Sequence, residues 1–323
     1  MENLTRNVSF SHTKFHLHGF PGVLQYRYLI AIPLVFTYSV IFIGNGTIMY
    51  VICMKKALHS PMYILILLLC SQNLVHAMAF MPKFLLALVL EMDQVTLVGC
   101  LTQMFFMYVA GIYESNILLL MSLDRFVAIM IPLHYHHIIS TKTLTLFILL
   151  GLLRSFLLAS VIIGFASGVQ FCGSNIILNF SCENMSLLSL GCGDLTTVHA
   201  VGLWVRILLT GFDATIISIS YFTILHTIMK LVVGKAREKA WQTCSAHLLA
   251  AMLTYVSGVS CSIVYRIGSA ILIDVQNMVS LISYAVPGVG DPFIYGIKMK
   301  EIRDTLRKTF TRNSEIDLTT GQS

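Results

Sequence analysis

Charged side chains are scarce enough in this sequence that each one embedded in an apolar run needs a physical reason. Asp124 and Arg125 stand side by side at the end of a long apolar stretch that opens at Cys100 and leads into Ile131-Pro132-Leu133-His134-Tyr135. Glu114 interrupts that same stretch, and Asp213 and Asp291 interrupt others, as do Lys83, Arg154, Arg206 and Arg266. Ionic groups in such surroundings persist by pairing, by changing protonation state, or by meeting a ligand or ion. That chemistry is recognition and charge switching. No nucleophile–base pair, metal triad or phosphate loop stands out, which argues against an enzyme.

The elements that hold these groups follow from composition. Hydrophobic residues make up 56% of 323 positions and charged residues 11%, with a mean hydropathy of +0.80. A soluble chain carries about a quarter charged residues, so an integral membrane protein is expected. Apolar runs of helix-spanning length recur, and they are too long and too continuous for alternating barrel strands. Seven spans are predicted at Arg27–Met54, His59–Leu88, Cys100–Pro132, Thr143–Gly168, Val198–Val233, Ala236–Gly268 and Val275–Ile297. The expectation is an all-α membrane protein, a seven-helix bundle over 27–297 between an outer segment 1–26 and a cytoplasmic portion 298–323. The polar start lacks a signal-peptide core, so the first span is expected to direct insertion. Glu301 to Phe310 predicts a short amphipathic eighth helix, with Ile302, Leu306 and Phe310 opposite Arg303, Arg307 and Lys308. It is expected to lie on the inner leaflet; a frayed basic tail is the alternative.

Lys and Arg set the orientation. With the amino terminus outside, fourteen of the 21 basic residues fall on the inner side and none in the outer loops proper. An extracellular amino terminus and a cytoplasmic carboxyl terminus follow, and the plasma membrane is the expected location. The sequons at Asn3, Asn7, Asn179 and Asn184 all fall on that outer side, whereas Asn45-Gly46-Thr47 lies inside a span and is discounted. Cys100, Cys172, Cys182 and Cys192 also face outward, and four cysteines allow three pairings. Cys53, Cys70, Cys244 and Cys261 are expected to be reduced fillers.

Helical spacing gathers candidate binding residues. Met104, Tyr108, Gly111, Ile112 and Ser115 share one face of the third span, and Tyr255, Val259, Ser262 and Arg266 share one face of the sixth. Together with Arg206 they outline an apolar outer-half pocket with cationic anchors, suited to a small amphipathic acid. Lys83 and Arg266 could instead reach the outer headgroups. The sequence names no partner for Arg206; Asp213 lies seven residues on, about 10 Å along the same face.

Several strings carry a family likeness. Leu58-His59-Ser60-Pro61-Met62-Tyr63, the run Met121-Ser122-Leu123-Asp124-Arg125-Phe126-Val127-Ala128-Ile129, Lys239-Ala240-Trp241-Gln242-Thr243-Cys244-Ser245-Ala246-His247 and Pro287 through Tyr295 resemble odorant receptors, a family of rhodopsin-like (class A) G-protein-coupled receptors. His18-Gly19-Phe20-Pro21-Gly22, Ile112-Tyr113-Glu114-Ser115 and Tyr265-Arg266 resemble the fish-like (class I) subgroup. The resemblance implies binding of an odorant, probed at Arg266 by anionic ligands, and activation of a stimulatory olfactory-type G protein that raises cyclic AMP. It implies Cys100–Cys182 and Cys172–Cys192 disulfides. It assigns coupling to Asp124, Arg125, Tyr221, Lys239, His247 and Tyr295, with Asp124 holding Arg125 at rest; Tyr221 and Tyr295 could also be ordinary interfacial tyrosines. The chain departs from the pattern by carrying Asn73 where the family has Asp and Asp291 where it has Asn. Asn73, Glu114, Ser115 and Asp291 are therefore expected to form one polar cluster, with or without a sodium ion. No other cofactor and no nucleic acid is implied. A receptor for another small ligand and a transporter are the rival readings, and the transporter would require repeat symmetry between halves, which is not seen.

Overall fold

The computed structural model describes residues 11–231, 234–267 and 272–308. Strand β1 (Lys14–Leu17) precedes α1 (Arg27–Met54) and α2 (Pro61–Leu90); β2 (Gln94–Thr96) leads into α3 (Leu97–Met130). A one-turn α4 (Tyr135–Ile138) and α5 (Thr141–Ser167) follow, then β3 (Ile176–Ile177), a short α6 (Asn184–Leu188), α7 (Thr196–Leu231), α8 (Gly234–Ile267) and α9 (Ile273–Lys298). A last helix, α10, occupies 300–308. Below, the N face is the end of the bundle that carries β1, and the C face the end that carries α10.

Six of these helices are long and apolar enough to cross a bilayer: α1, α2, α3, α5, α7 and α8. The seventh, α9, is more polar because it carries Asp274, Asp291 and Lys298. Local chemistry sets the ends. α2 begins at Pro61 rather than His59, since Ser60 is extended and proline is preorganised for a first helical turn. α3 begins at Leu97 because the Thr96 hydroxyl accepts from the Gly99 N–H at 3.1 Å. Ser140 caps α5 in the same way through Thr143.

α3 is the axis of the bundle and packs against α2, α5, α7 and α8. Its buried face holds Glu114, Ser115, Asn116 and Asp124 among Leu, Ile and Met. Outward surfaces are apolar instead: Leu29, Ile32, Phe36, Phe212 and Phe222 are all more than 60% exposed, as lipid contact requires. Where α1 meets α9, a Cβ on Gly44 would stand 3.0 Å from the Pro292 ring, so glycine permits the close approach.

At the N face, β1 pairs antiparallel with β2 and parallel with β3. This small sheet adds to the helical class expected from sequence. Phe15 and Leu17 point inward onto Cys100, Met104, Phe171 and Cys182, closing that end of the bundle. At the C face, Ile302 is fully buried in the main core and Leu306 packs against it. The apolar side of this helix is thus seated against the end of the bundle. Phe310 lies outside the described residues.

Candidate functional site

Beneath the N-face loops, α3, α7, α8 and α9 enclose a cavity of about 210 Å³. Met104, Tyr108, Gly111, Ile112 and Ser115 line it from α3; Arg206 lines it from α7, and Tyr255, Val259, Ser262 and Arg266 from α8. The nine residues gathered by helical spacing and Arg206 therefore all border one space. Others were not foreseen: His76, Glu114, Glu183, Asn184, His199, Thr254, Tyr265 and Tyr284 also line it. Tyr265 and Tyr284 recur at helical spacing, but Glu183 and Asn184 sit in a loop whose path no periodicity reveals.

The cations differ in what holds them. Arg206 donates to the Gly258 carbonyl at 2.6 Å and acts electrostatically on Glu183. Glu183 caps α6, accepting from the Met185 and Ser186 N–H groups at 2.7 and 3.2 Å. Burial raises its carboxyl above the ordinary range, against the pull of those donors and Arg206. Lys83 is not among the residues lining the cavity; its ammonium donates to the Met92 and Gln94 carbonyls, each at 2.7 Å. Arg266 lines the cavity and makes no ion pair or hydrogen bond among the described residues. Asp213 serves Arg154, at 2.7 Å, rather than Arg206. α7 turns Asp213 inward to full burial, and α5 brings Arg154 to the same depth.

The single polar cluster expected from sequence is divided in three. Asn73 donates to Asp291 at 2.9 Å and to Asn45 at 3.0 Å, and Asn45 in turn donates to the Gly288 carbonyl at 2.8 Å. Glu114 accepts from Thr254 at 2.7 Å. Ser115 donates to Asp213 at 2.7 Å and meets the Tyr255 hydroxyl at 2.7 Å. Ser115 is thus not part of the Asn73–Asp291 pair, because it faces α7 and α8 while Asn73 faces α1 and α9. A sodium ion fits this arrangement poorly. The Asn73 amide presents N–H donors to Asp291 and Asn45 where a cation needs oxygen acceptors, and Asp291 Oδ1 is left without a hydrogen-bond partner among the described residues.

Near the C face, the Arg125 guanidinium is paired with Asp124, with its Nε at 2.8 Å from the carboxylate. Tyr135, from α4, donates to the other oxygen of Asp124 at 2.7 Å. Burial and the Asp124 carboxylate raise the Tyr135 hydroxyl above its ordinary value, so it stays a donor. Tyr221 is buried, and Tyr295 lies 3.4 Å from Nδ1 of His247. The acid, the arginine and a capping tyrosine form one closed unit. Lys239 falls in α8 with its side chain outside the described residues.

The olfactory receptor family profile matches residues 34–313. The chain belongs to the olfactory receptor family. It is similar to human olfactory receptor 52D1, at 34% identity over 305 residues, covering 94% of this chain and 96% of the relative. Mouse olfactory receptor 51E2 is 30% identical over 315 residues, covering 98% of each. The crystal structure of squid rhodopsin shares the fold with a TM-score of 0.70 at 16% identity, covering 89% of this chain and 81% of that chain. The receptor is therefore a multi-pass, class A G-protein-coupled receptor, a family of signal transducers rather than enzymes.

The two disulfides of this receptor join Cys100 to Cys182 and Cys172 to Cys192. The first ties α3 to the loop that carries Glu183 and so fixes that acid over the cavity. Two glycosylation expectations are corrected. Asn179 is 1% exposed and hydrogen-bonded to Ser186 and Tyr265, and Asn184 is 5% exposed against the cavity. A glycan cannot leave a buried amide, and the three-residue pattern is blind to how the loop folds. Asn3 and Asn7 lie outside the described residues.

Proposed function

We propose that the receptor recognises a small amphipathic carboxylic acid, held with its carboxylate against Arg266 and its tail among Met104, Ile112, Tyr255 and Val259. The observation that carries this reading is the contrast between the two cavity cations. Arg206 is committed to the Gly258 carbonyl and faces Glu183 electrostatically, whereas Arg266 makes no ion pair or hydrogen bond among the described residues. A guanidinium without a partner beside apolar walls gains most from an anion that satisfies it bidentately. Tail burial adds about 0.8 kcal/mol per methylene.

In this reading the N face is extracellular, at the plasma membrane. Ligand binding shifts the receptor only as far as it favours one state over the other. The favoured state releases Arg125 from Asp124 and opens the C face between α3, α7 and α8. A stimulatory, olfactory-type G protein docks there, near Tyr221, Lys239, His247 and Tyr295, and cyclic AMP rises.

The test is a cyclic-AMP reporter assay on cells expressing the receptor, with straight-chain acids and their methyl esters. Acids should act, esters should be weak, and potency should rise about fourfold per methylene until the cavity is full. Arg266→Ala should lose the response to acids and Arg266→Lys should keep part of it. An unchanged acid dose–response in Arg266→Ala overturns the reading.

A further inference from the structure

On the N face, outside the cavity, the geometry points to a binding site for a divalent transition-metal ion made by His16, His18 and Asp93. The Asp93 carboxylate lies 3.2 Å from Nδ1 of His16 and 3.1 Å from Nε2 of His18. The three ligand atoms all lie within 4.8 Å of one another. In a tetrahedral site with bonds of about 2.0–2.1 Å, ligand atoms stand about 3.3 Å apart. The two imidazole–carboxylate spacings already match that edge. The rings are roughly a third exposed, so rotation of half-free side chains completes the site and an ion can reach it.

The backbone prepares this arrangement. His16 and His18 alternate with Leu17 along an extended chain, so both rings fall on the side opposite the buried leucine. The ladder persists beyond β1, because the His18 N–H donates to Ile177 at 2.9 Å. On the other edge the Leu17 N–H donates to the Asp93 carbonyl at 3.1 Å. Lys83 then holds the carbonyls on both sides of Asp93. The donors are therefore fixed by strand pairing and an ammonium clamp.

Two imidazole nitrogens and one carboxylate oxygen suit zinc(II) or copper(II), and leave coordination positions for water or an outside ligand. The ion would staple β1 to the α2–α3 connection. Phe15 and Leu17 of that strand pack with Met104, which lines the cavity, so the metal would stiffen the roof of the ligand site.

The experiment uses the full chain, purified in lipid nanodiscs and freed of metal with a chelator, then titrated with zinc chloride. We expect one zinc ion to bind and thermal unfolding to move upward. In His16→Asn/His18→Asn both effects should vanish, and in Asp93→Asn, which retains both rings, affinity should fall more than about tenfold. His136→Gln/His137→Gln, exposed on α4 at the C face, should behave as wild type. Failure of the wild-type chain to bind zinc overturns the proposal. An undiminished thermal shift in the double variant, undiminished affinity in Asp93→Asn, or loss of binding in the C-face variant also overturns it. Should the double variant not fold, the Asp93→Asn affinity decides.

Discussion

Breaking the Arg154–Asp213 pair should damage the receptor far more than removing it whole. The two groups meet at mid-bundle: Arg154 is thirteen residues from the end of α5, about 20 Å below the N face. Asp213 is fully buried, and Arg154 is 27% exposed at a depth where exposure means lipid rather than water. Asp213→Leu leaves an arginine that cannot lose its proton and has no hydration, and it strips Ser115 of an acceptor. The expected cost is about 3–5 kcal/mol, a factor of roughly 10² to several times 10³ in the folded ratio. Arg154→Leu should cost less, about 1–3 kcal/mol, because the orphaned carboxyl can take up a proton and keep its Ser115 contact. The double variant, Arg154→Leu with Asp213→Leu, should recover to within about 1 kcal/mol of wild type, since apolar replacement of a buried pair is often neutral. The assays are thermal unfolding of purified receptor and surface display on intact cells. Additive losses in the double variant, with no recovery beyond the single variants, would refute the claim that these charges exist for each other.

Further predictions follow from the other polar units. Arg125→Ala should abolish cyclic-AMP output with surface expression intact, while Tyr135→Phe should raise basal output, since Asp124 then holds Arg125 with one fewer donor facing it; normal signalling from the alanine variant contradicts the first. Asn73→Asp should strongly reduce folded receptor, because it sets a second carboxyl 2.9 Å from Asp291, and adding Asp291→Asn should restore it by reversing donor and acceptor; fluorescence-detected elution reads both. Glu183 has a raised folded-state pKa, so its contribution to stability is complete below the ordinary carboxylate range and is lost as pH rises through the raised value. Glu183→Gln should remove that slope from a melting-temperature profile, and an unchanged slope would contradict the assignment.

Glu183 also shows where reading along the chain stops. Its neighbours in sequence suggest nothing, and it reaches the cavity only because the Cys100–Cys182 bridge draws its loop over α3. Asn179 and Asn184 match a surface modification pattern yet are buried by the same loop. His16 and His18 read as part of a mixed polar segment until β1 sets them against Asp93, seventy-five residues from the second histidine.

What the sequence determined by itself is one-dimensional. Apolar length against bilayer thickness set the expected spans, and helical period set which side chains of α3 and α8 share a face. The distribution of Lys and Arg set the expected orientation, and short strings marked the family. Only the tertiary structure decided which charge meets which. Arg154 rather than Arg206 takes Asp213, Ser115 leaves Asn73, and Arg266 remains without an ion pair among the described residues. The physical reason is that pairing inside a bundle depends on the depth and rotation of one helix relative to another. Those quantities are fixed by packing between elements and leave no trace in the period of either one.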